Sequence, residues 1–158
     1  MRDRELKIER IVEAPIDLIW MCWTTPEHLM PWFCPKPWLT TECRIDLRPG
    51  GEFFTLMKSP EGESFPNSGV YLEIVKNKRI VWTDAFTVGW EPTLNSSDRP
   101  FIFTGLLEFE DLGGGKTKYT GTARHWTVED CKKHEEMGFQ EGWGICIDQL
   151  VEYIKGMK

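Results

Sequence analysis

Acid–base chemistry in this chain of 158 residues would have to come from few side chains. The three histidines are His28, His125 and His134, and no pair of them stands at metal-ligand spacing with a cysteine or carboxylate nearby. His28 falls in Pro26-Glu27-His28-Leu29, a place for a helix surface or a cap. His125 lies between Arg124 and Trp126, at the end of the last expected strand and beside the start of the final helix, where an imidazole could face a cavity mouth and exchange a proton. Asp84 stands among Trp82, Ala85 and Phe86, and strand alternation puts it on one face with Trp82 and Phe86. If that face is interior, burial raises the pKa of the carboxyl and makes it a proton acceptor or a ligand anchor. The competing reading pairs it with a strand Arg or Lys. Glu73, Glu108 and Arg124 read as strand charges that are solvated or paired across strands.

Other chemistries find no residues to carry them. Cys22, Cys34, Cys43, Cys131 and Cys146 are an odd count at wide spacings, which fits reduced, mostly buried thiols rather than a zinc site. Gly113-Gly114-Gly115 has no following Lys-Ser/Thr and leads into a strand, so it is a hairpin turn and not a phosphate cradle. No nucleophile motif is present. The expectation is no metal and no cofactor.

The elements that position these residues follow from apolar spacing and turn residues. Residues 5–13 form a strand that ends at Ala14-Pro15. Ile16, Ile19, Trp20 and Trp23 recur at helical spacing, and Thr25-Pro26 begins a second short helix carrying Leu29 and Trp32-Phe33. From Pro37 to Arg124 the apolar runs are short and bounded by turns, as in an antiparallel meander. Pro49-Gly50-Gly51 turns the chain, Ser59 to Asn67 is a polar loop, and Asn77-Lys78 suits a tight hairpin turn. Val88 to Pro100 is a loop with Trp90 near its start and Asn95-Ser96-Ser97-Asp98 at its tip. Thr127 with Glu129 and Asp130 marks a helix start. Phe139, Trp143, Cys146, Ile147, Leu150, Val151 and Ile154 then form one stripe of a long helix reaching the C-terminus. Gly138, Gly142 and Gly144 near its start either leave room for something else or allow close packing on the sheet.

The order is strand, two helices, six strands and a long helix, β-αα-β6-α, in the α+β class, and residues 1–158 are expected to form one domain. A curved sheet cannot close-pack along the whole of one helix, so a cavity is the geometric consequence. Aromatic residues are 13% of the chain, with eight Trp, nine Phe and three Tyr, more indole than a core of this size needs. The expected cavity walls are Trp20, Phe53, Tyr71, Trp82, Phe86, Phe103, Trp143 and Ile147, although the opposed strand parities among them cannot all face inward. A net charge of -6 argues against nucleic acid or anionic membrane as partner. No segment approaches the ~20 apolar residues of a membrane span and the N-terminus is no secretory signal, so a cytoplasmic location is expected.

The run Ala14-Pro15-Ile16-Asp17-Leu18-Ile19-Trp20, followed by Trp23-Thr24-Thr25-Pro26-Glu27-His28-Leu29 and Trp32, resembles the opening of START-like (SRPBCC) proteins. Within them it is similar to the branch named for homologues of the heat-shock-protein-90 ATPase activator. Asp46-Leu47-Arg48-Pro49-Gly50-Gly51-Glu52-Phe53, Gly69-Val70-Tyr71-Leu72-Glu73-Ile74, Arg79-Ile80-Val81-Trp82-Thr83 and Gly142-Trp143 with Leu150 agree with that branch. The resemblance implies a helix-grip domain with a deep apolar pocket of the kind related proteins use for lipids, sterols, polyketides or hormones. Three readings follow. The first is a binding module for a hydrophobic small molecule, monomeric or homodimeric. The second is a cyclase- or hydrolase-type enzyme using the same pocket, with Asp84 or His125 as acid–base group. The third is a co-chaperone, with a chaperone as partner.

Overall fold

Leu6, Ile8 and Val12 are buried and alternate with charged neighbours along the first strand, β1 (Glu5–Val12). The chain leaves it through Pro15, whose extended backbone starts α1 (Ile16–Thr24), and Pro26 opens the single turn of α2 (Pro26–Leu29). In this computed structural model, which describes residues 2–93 and 101–157, the meander follows as β2 (Leu39–Ile45), β3 (Glu52–Lys58), β4 (Ser64–Val75) and β5 (Arg79–Thr83). A small ribbon, β6 (Phe86–Thr87) and β7 (Glu91–Pro92), interrupts it before β8 (Phe103–Gly113) and β9 (Lys116–His125). Two helices close the chain, α3 (Val128–Glu136) and α4 (Phe139–Lys155).

Seven strands make one antiparallel sheet in the order β1-β9-β8-β5-β4-β3-β2, and β6 and β7 pair only with each other. The strand, two helices and six further strands of the main sheet are those expected. The ribbon and the separate α3 are additions. A left-handed Gly138, φ 96°, divides α3 from α4, where a side chain would strain the backbone. Thr127 caps α3 as expected, its Oγ1 accepting the Asp130 N–H at 3.0 Å, whereas Thr25 makes no side-chain cap at α2. The polar loop after β3 is shorter than expected because β4 begins at Ser64, and Asn77 takes the positive φ that its hairpin turn requires. The Asn95-Ser96-Ser97-Asp98 tip lies outside the described residues.

The core lies on the sheet's concave face, under α1, α2 and α4, around Ile19, Leu29, Ile80, Leu107 and Leu150. The convex face carries the strand charges: Arg79 bridges Glu73 at 2.7 Å and Glu108 at 2.8 Å, and Arg124 pairs with Glu5. These are cross-strand pairs at exposed positions, worth little each. Thr117, fully buried, donates its hydroxyl to the Ala14 carbonyl at 2.8 Å and ties β9 to the entry of α1.

Two strand glycines set where large rings can lie. Trp82 on β5 stands opposite Gly105 on β8, and a Cβ on that glycine would meet the indole at 2.4 Å. Gly121 on β9 likewise lies under Trp143 of α4, where a Cβ would be 3.0 Å from the ring. In both places the missing side chain is a notch in the sheet that seats an indole flat against backbone. Gly105→Ala should therefore push the Trp82 ring out of its notch and cost about 1–3 kcal/mol, the usual range for overpacking, read as a lower urea midpoint with an unchanged m-value. A variant as stable as the parent would show that the notch is not needed.

Candidate functional site

Between the concave face and the helices the side chains fail to meet, and a cavity of about 410 Å³ remains. Its sheet side is Phe53, Trp82 and Phe103 with Tyr119, and its helical side is Trp23, Trp32, Phe33 and Trp143. Four of these close a cycle of ring contacts: Trp23 to Trp82 at 5.8 Å, Trp82 to Phe53 at 5.6 Å, Phe53 to Phe33 at 6.0 Å and Phe33 back to Trp23 at 5.6 Å. Most meet edge to face, the arrangement that ring quadrupoles favour. The solvent-exposed Asn67 and Met137 mark the open side, and among the described residues no Lys or Arg belongs to the wall.

Phe53, Trp82, Phe103 and Trp143, with Asp84, line the cavity as the sequence suggested, and four expected residues do not. Trp20 is buried away from the cavity, edge-on to Phe109 at 6.5 Å, and Trp23, one helical turn later, takes the cavity position. Tyr71 is covered by Phe53, which stacks on it at 5.2 Å and 14°, so its ring is core behind the wall. Phe86 falls outside because β5 ends at Thr83, and the ribbon carries Phe86 to the surface against Trp90. Ile147 packs into the core while its neighbour Cys146 reaches the cavity.

Of the acid–base candidates, Asp84 lines the cavity, and its Oδ1 accepts the backbone N–H of Phe103 at 2.9 Å, tying the end of β5 to the start of β8. His125 does not line it. It is 3% exposed, stacked on Phe103 at 5.6 Å, and its Nε2 shares a hydrogen bond of 2.9 Å with Nδ1 of His134. His134, on α3, is the imidazole that reaches the cavity, set among Phe101, Phe103, Phe139 and Trp143. Its place was hidden in the sequence, since the spacing from His125 to His134 spans a strand end and a helix turn and has no periodicity to reveal it. Burial and the neighbouring His125 push the His134 pKa down to about 4, and burial lowers that of His125. The pair is neutral around pH 7. His28 binds the Tyr153 hydroxyl through Nδ1 at 2.7 Å and joins α2 to α4, away from the cavity.

Two of the five free thiols, Cys34 and Cys146, also face the cavity. Burial pushes Cys146 up to about 12 and raises Cys34 as well, so both stay protonated and act as apolar wall. Among the described residues no group of three or more His, Cys, Asp or Glu could hold a metal ion.

Residues 13–155 match the family described as activator of Hsp90 ATPase homolog 1-like protein. The chain belongs to this family. A crystal structure of a protein from Nitrosomonas europaea is 43% identical over 98% of this chain and 96% of its own, with a TM-score of 0.91. More distant structures share the fold alone. One from Mycobacterium smegmatis is 22% identical, with a TM-score of 0.79, over 99% of this chain and 94% of its own. An AHSA1-like protein from Aeromonas hydrophila is 19% identical, with a TM-score of 0.70, over 96% and 92%. No curated protein matches the chain. The family fold is the helix grip, and among the described residues no helix is long and apolar enough to cross a membrane.

Two outcomes follow from this geometry. Trp143 faces empty space on one side and is only half-buried, whereas Leu150, on the same helix, is fully enclosed. Trp143→Ala should therefore cost less than the ~3–5 kcal/mol of a core tryptophan, and no more than Leu150→Ala, which should cost ~2–5 kcal/mol in a urea melt. The reverse order would make Trp143 core. The second outcome concerns pH. The His134 ring takes up its proton near its ordinary 6.5 in the unfolded chain but near about 4 in the fold, so between those values the unfolded state binds more protons. Its contribution to stability is full above the upper value and is lost as pH falls toward the lower. Melts at about pH 7.5 and about pH 5 should show a drop that is smaller in His134→Gln, and an equal drop would assign it to other groups.

Proposed function

We propose that the chain binds an uncharged, largely apolar small molecule between sheet and C-terminal helix. The observation that supports this is the cavity of about 410 Å³ with aromatic rings on both its sheet and helix sides and, among the described residues, no cation in its wall. Its volume lies within the roughly 300–1,000 Å³ of small-molecule sites. An apolar void of about 150 Å³ already holds benzene, so this one has room for two or three fused rings. A cavity this large costs its walls dispersion contacts that a close-packed core would keep. A ligand that fills it restores them, and this gives the open space a function.

Among the described residues that line the cavity there is no Lys or Arg to receive a carboxylate, and the carboxyl of Asp84 already accepts the Phe103 N–H. The enzyme reading needs Asp84 or His125 as acid–base group near the ligand: His125 does not line the cavity, Asp84 does and accepts the Phe103 N–H there, and the neighbouring His134 resists protonation at physiological pH. Stimulation of a chaperone ATPase, the activity in the family's description, is the alternative, and the cavity geometry offers no argument for it.

Thermal-shift measurements against fatty acids, sterols and planar aromatic polyketides test the proposal. A ligand at a hundred times its dissociation constant adds about 2.7 kcal/mol to stability. The planar aromatics should give the largest rise in Tm, and no rise with any of the three classes would overturn the proposal.

A further inference from the structure

The cavity wall holds one polar group whose partner on the inner side is another ring. Of the four ring nitrogens of His125 and His134, two are joined in the 2.9 Å hydrogen bond. A third, Nδ1 of His125, is buried with no partner among the described residues. The fourth, Nε2 of His134, belongs to the ring that lines the cavity, makes no hydrogen bond among the described residues, and is not one of the sealed-off polar atoms. We propose that Nε2 of His134 anchors the cavity's ligand, and that this ligand is a planar aromatic molecule carrying one neutral hydroxyl, a phenol. The proposal rests on the reading that the cavity binds a small molecule, and it adds the chemical class.

The hydroxyl follows from the pair itself. A single hydrogen lies between Nε2 of His125 and Nδ1 of His134, and it can belong to either nitrogen. When His125 carries it, the outer Nε2 of His134 bears a hydrogen and donates. When His134 Nδ1 carries it, the outer Nε2 accepts. Asp130, one turn before His134 on α3, is the charged group that acts on His125, and its carboxylate only partly offsets the lowering that burial causes. A hydroxyl, which both donates and accepts, satisfies Nε2 in either tautomer. A ketone would fit one tautomer only, and a carboxylate would need a positive charge that the buried pair does not hold.

The aromatic part follows from the rings around that nitrogen. Phe103 lies 5.2 Å from the His134 ring and Trp143 6.5 Å, and both line the cavity. A flat ring entering beside them gains stacked or edge-on contacts that a saturated chain cannot offer. The same surroundings argue against proton abstraction. A proton taken by His134 would create an imidazolium among these rings and against a second imidazole, the arrangement that holds its pKa near about 4. His134 therefore positions the ligand without reacting with it.

Calorimetric titration with naphthalene, 2-naphthol and 2-naphthoate separates the possibilities. The parent should bind 2-naphthol about two- to tenfold more tightly than naphthalene, the worth of one neutral hydrogen bond, and 2-naphthoate more weakly than either. In His134→Phe the advantage of the naphthol should vanish, and in His134→Gln, whose amide can also donate and accept, part of it should return. If none of the three binds the parent, the cavity reading itself is overturned and the anchor with it. If naphthalene binds as tightly as naphthol, if naphthoate binds most tightly, or if His134→Phe keeps the preference, only the anchor is overturned. Should the variants fail to fold, the parent decides alone. In long-range nitrogen–proton NMR spectra the His134 Nε2 resonance should move with 2-naphthol and stay with naphthalene, and a resonance that ignores the naphthol would overturn the proposal.

Discussion

A straight helix and a curved sheet can meet along one line only, and everything else in this molecule adjusts to that line. Here α4 meets the sheet on its β1–β9 side. Gly144 brings the helix to within side-chain reach of Ile8 and Arg10, and Trp143 settles over Gly121. On the other side of the sheet, over β3, β4 and β5, the helix is too far away to pack, and the aromatic side chains of Trp23 on α1 and of Trp32 and Phe33 after α2 lean across instead. They cover the gap without filling it. The cavity is therefore a remainder of the helix–sheet geometry, with its size set by which residues are small at the contact line and large beyond it.

The glycines before α4 divide along this line. Gly138 breaks the helix, Gly144 permits the close approach, and Gly142, where an added Cβ would meet nothing within 4 Å, faces the cavity. Open space and close packing, the two alternatives the sequence left open, both occur, at neighbouring positions. The strand glycines act in the same way from the opposite side. Without a notch at Gly105 the Trp82 ring would have to stand up from the sheet and occupy the space that it now borders.

The fold was legible because its signals are local: Pro15 and Pro26 at helix starts, Asn77 at a hairpin, and the stripe from Phe139 to Ile154. The wall was half legible. Alternation carried Trp82 and Asp84 correctly to one face, but alternation holds only inside a strand, and β5 stops at Thr83 before Phe86 is reached. Helical spacing showed that Trp20 and Trp23 are both interior, yet which of the two borders the cavity depends on the tilt of α1 against the sheet, which no local pattern encodes. Tyr71 is screened by a ring from the neighbouring strand, and the His125–His134 contact forms only when α3 folds back on the end of β9. Both are tertiary facts, and local sequence patterns stop short of them.

Trp23, Trp32, Trp82 and Trp143 all border the cavity, half of the eight indoles in the chain. Indole emission responds to the polarity and to the energy acceptors around it, and here the same rings that form the wall are the principal fluorophores. A molecule that entered would change the surroundings of several of them together, and one that absorbs in the near ultraviolet would take up their excitation directly. Any occupant would thus be written into the intrinsic light of the protein, and no label would be needed to follow its arrival.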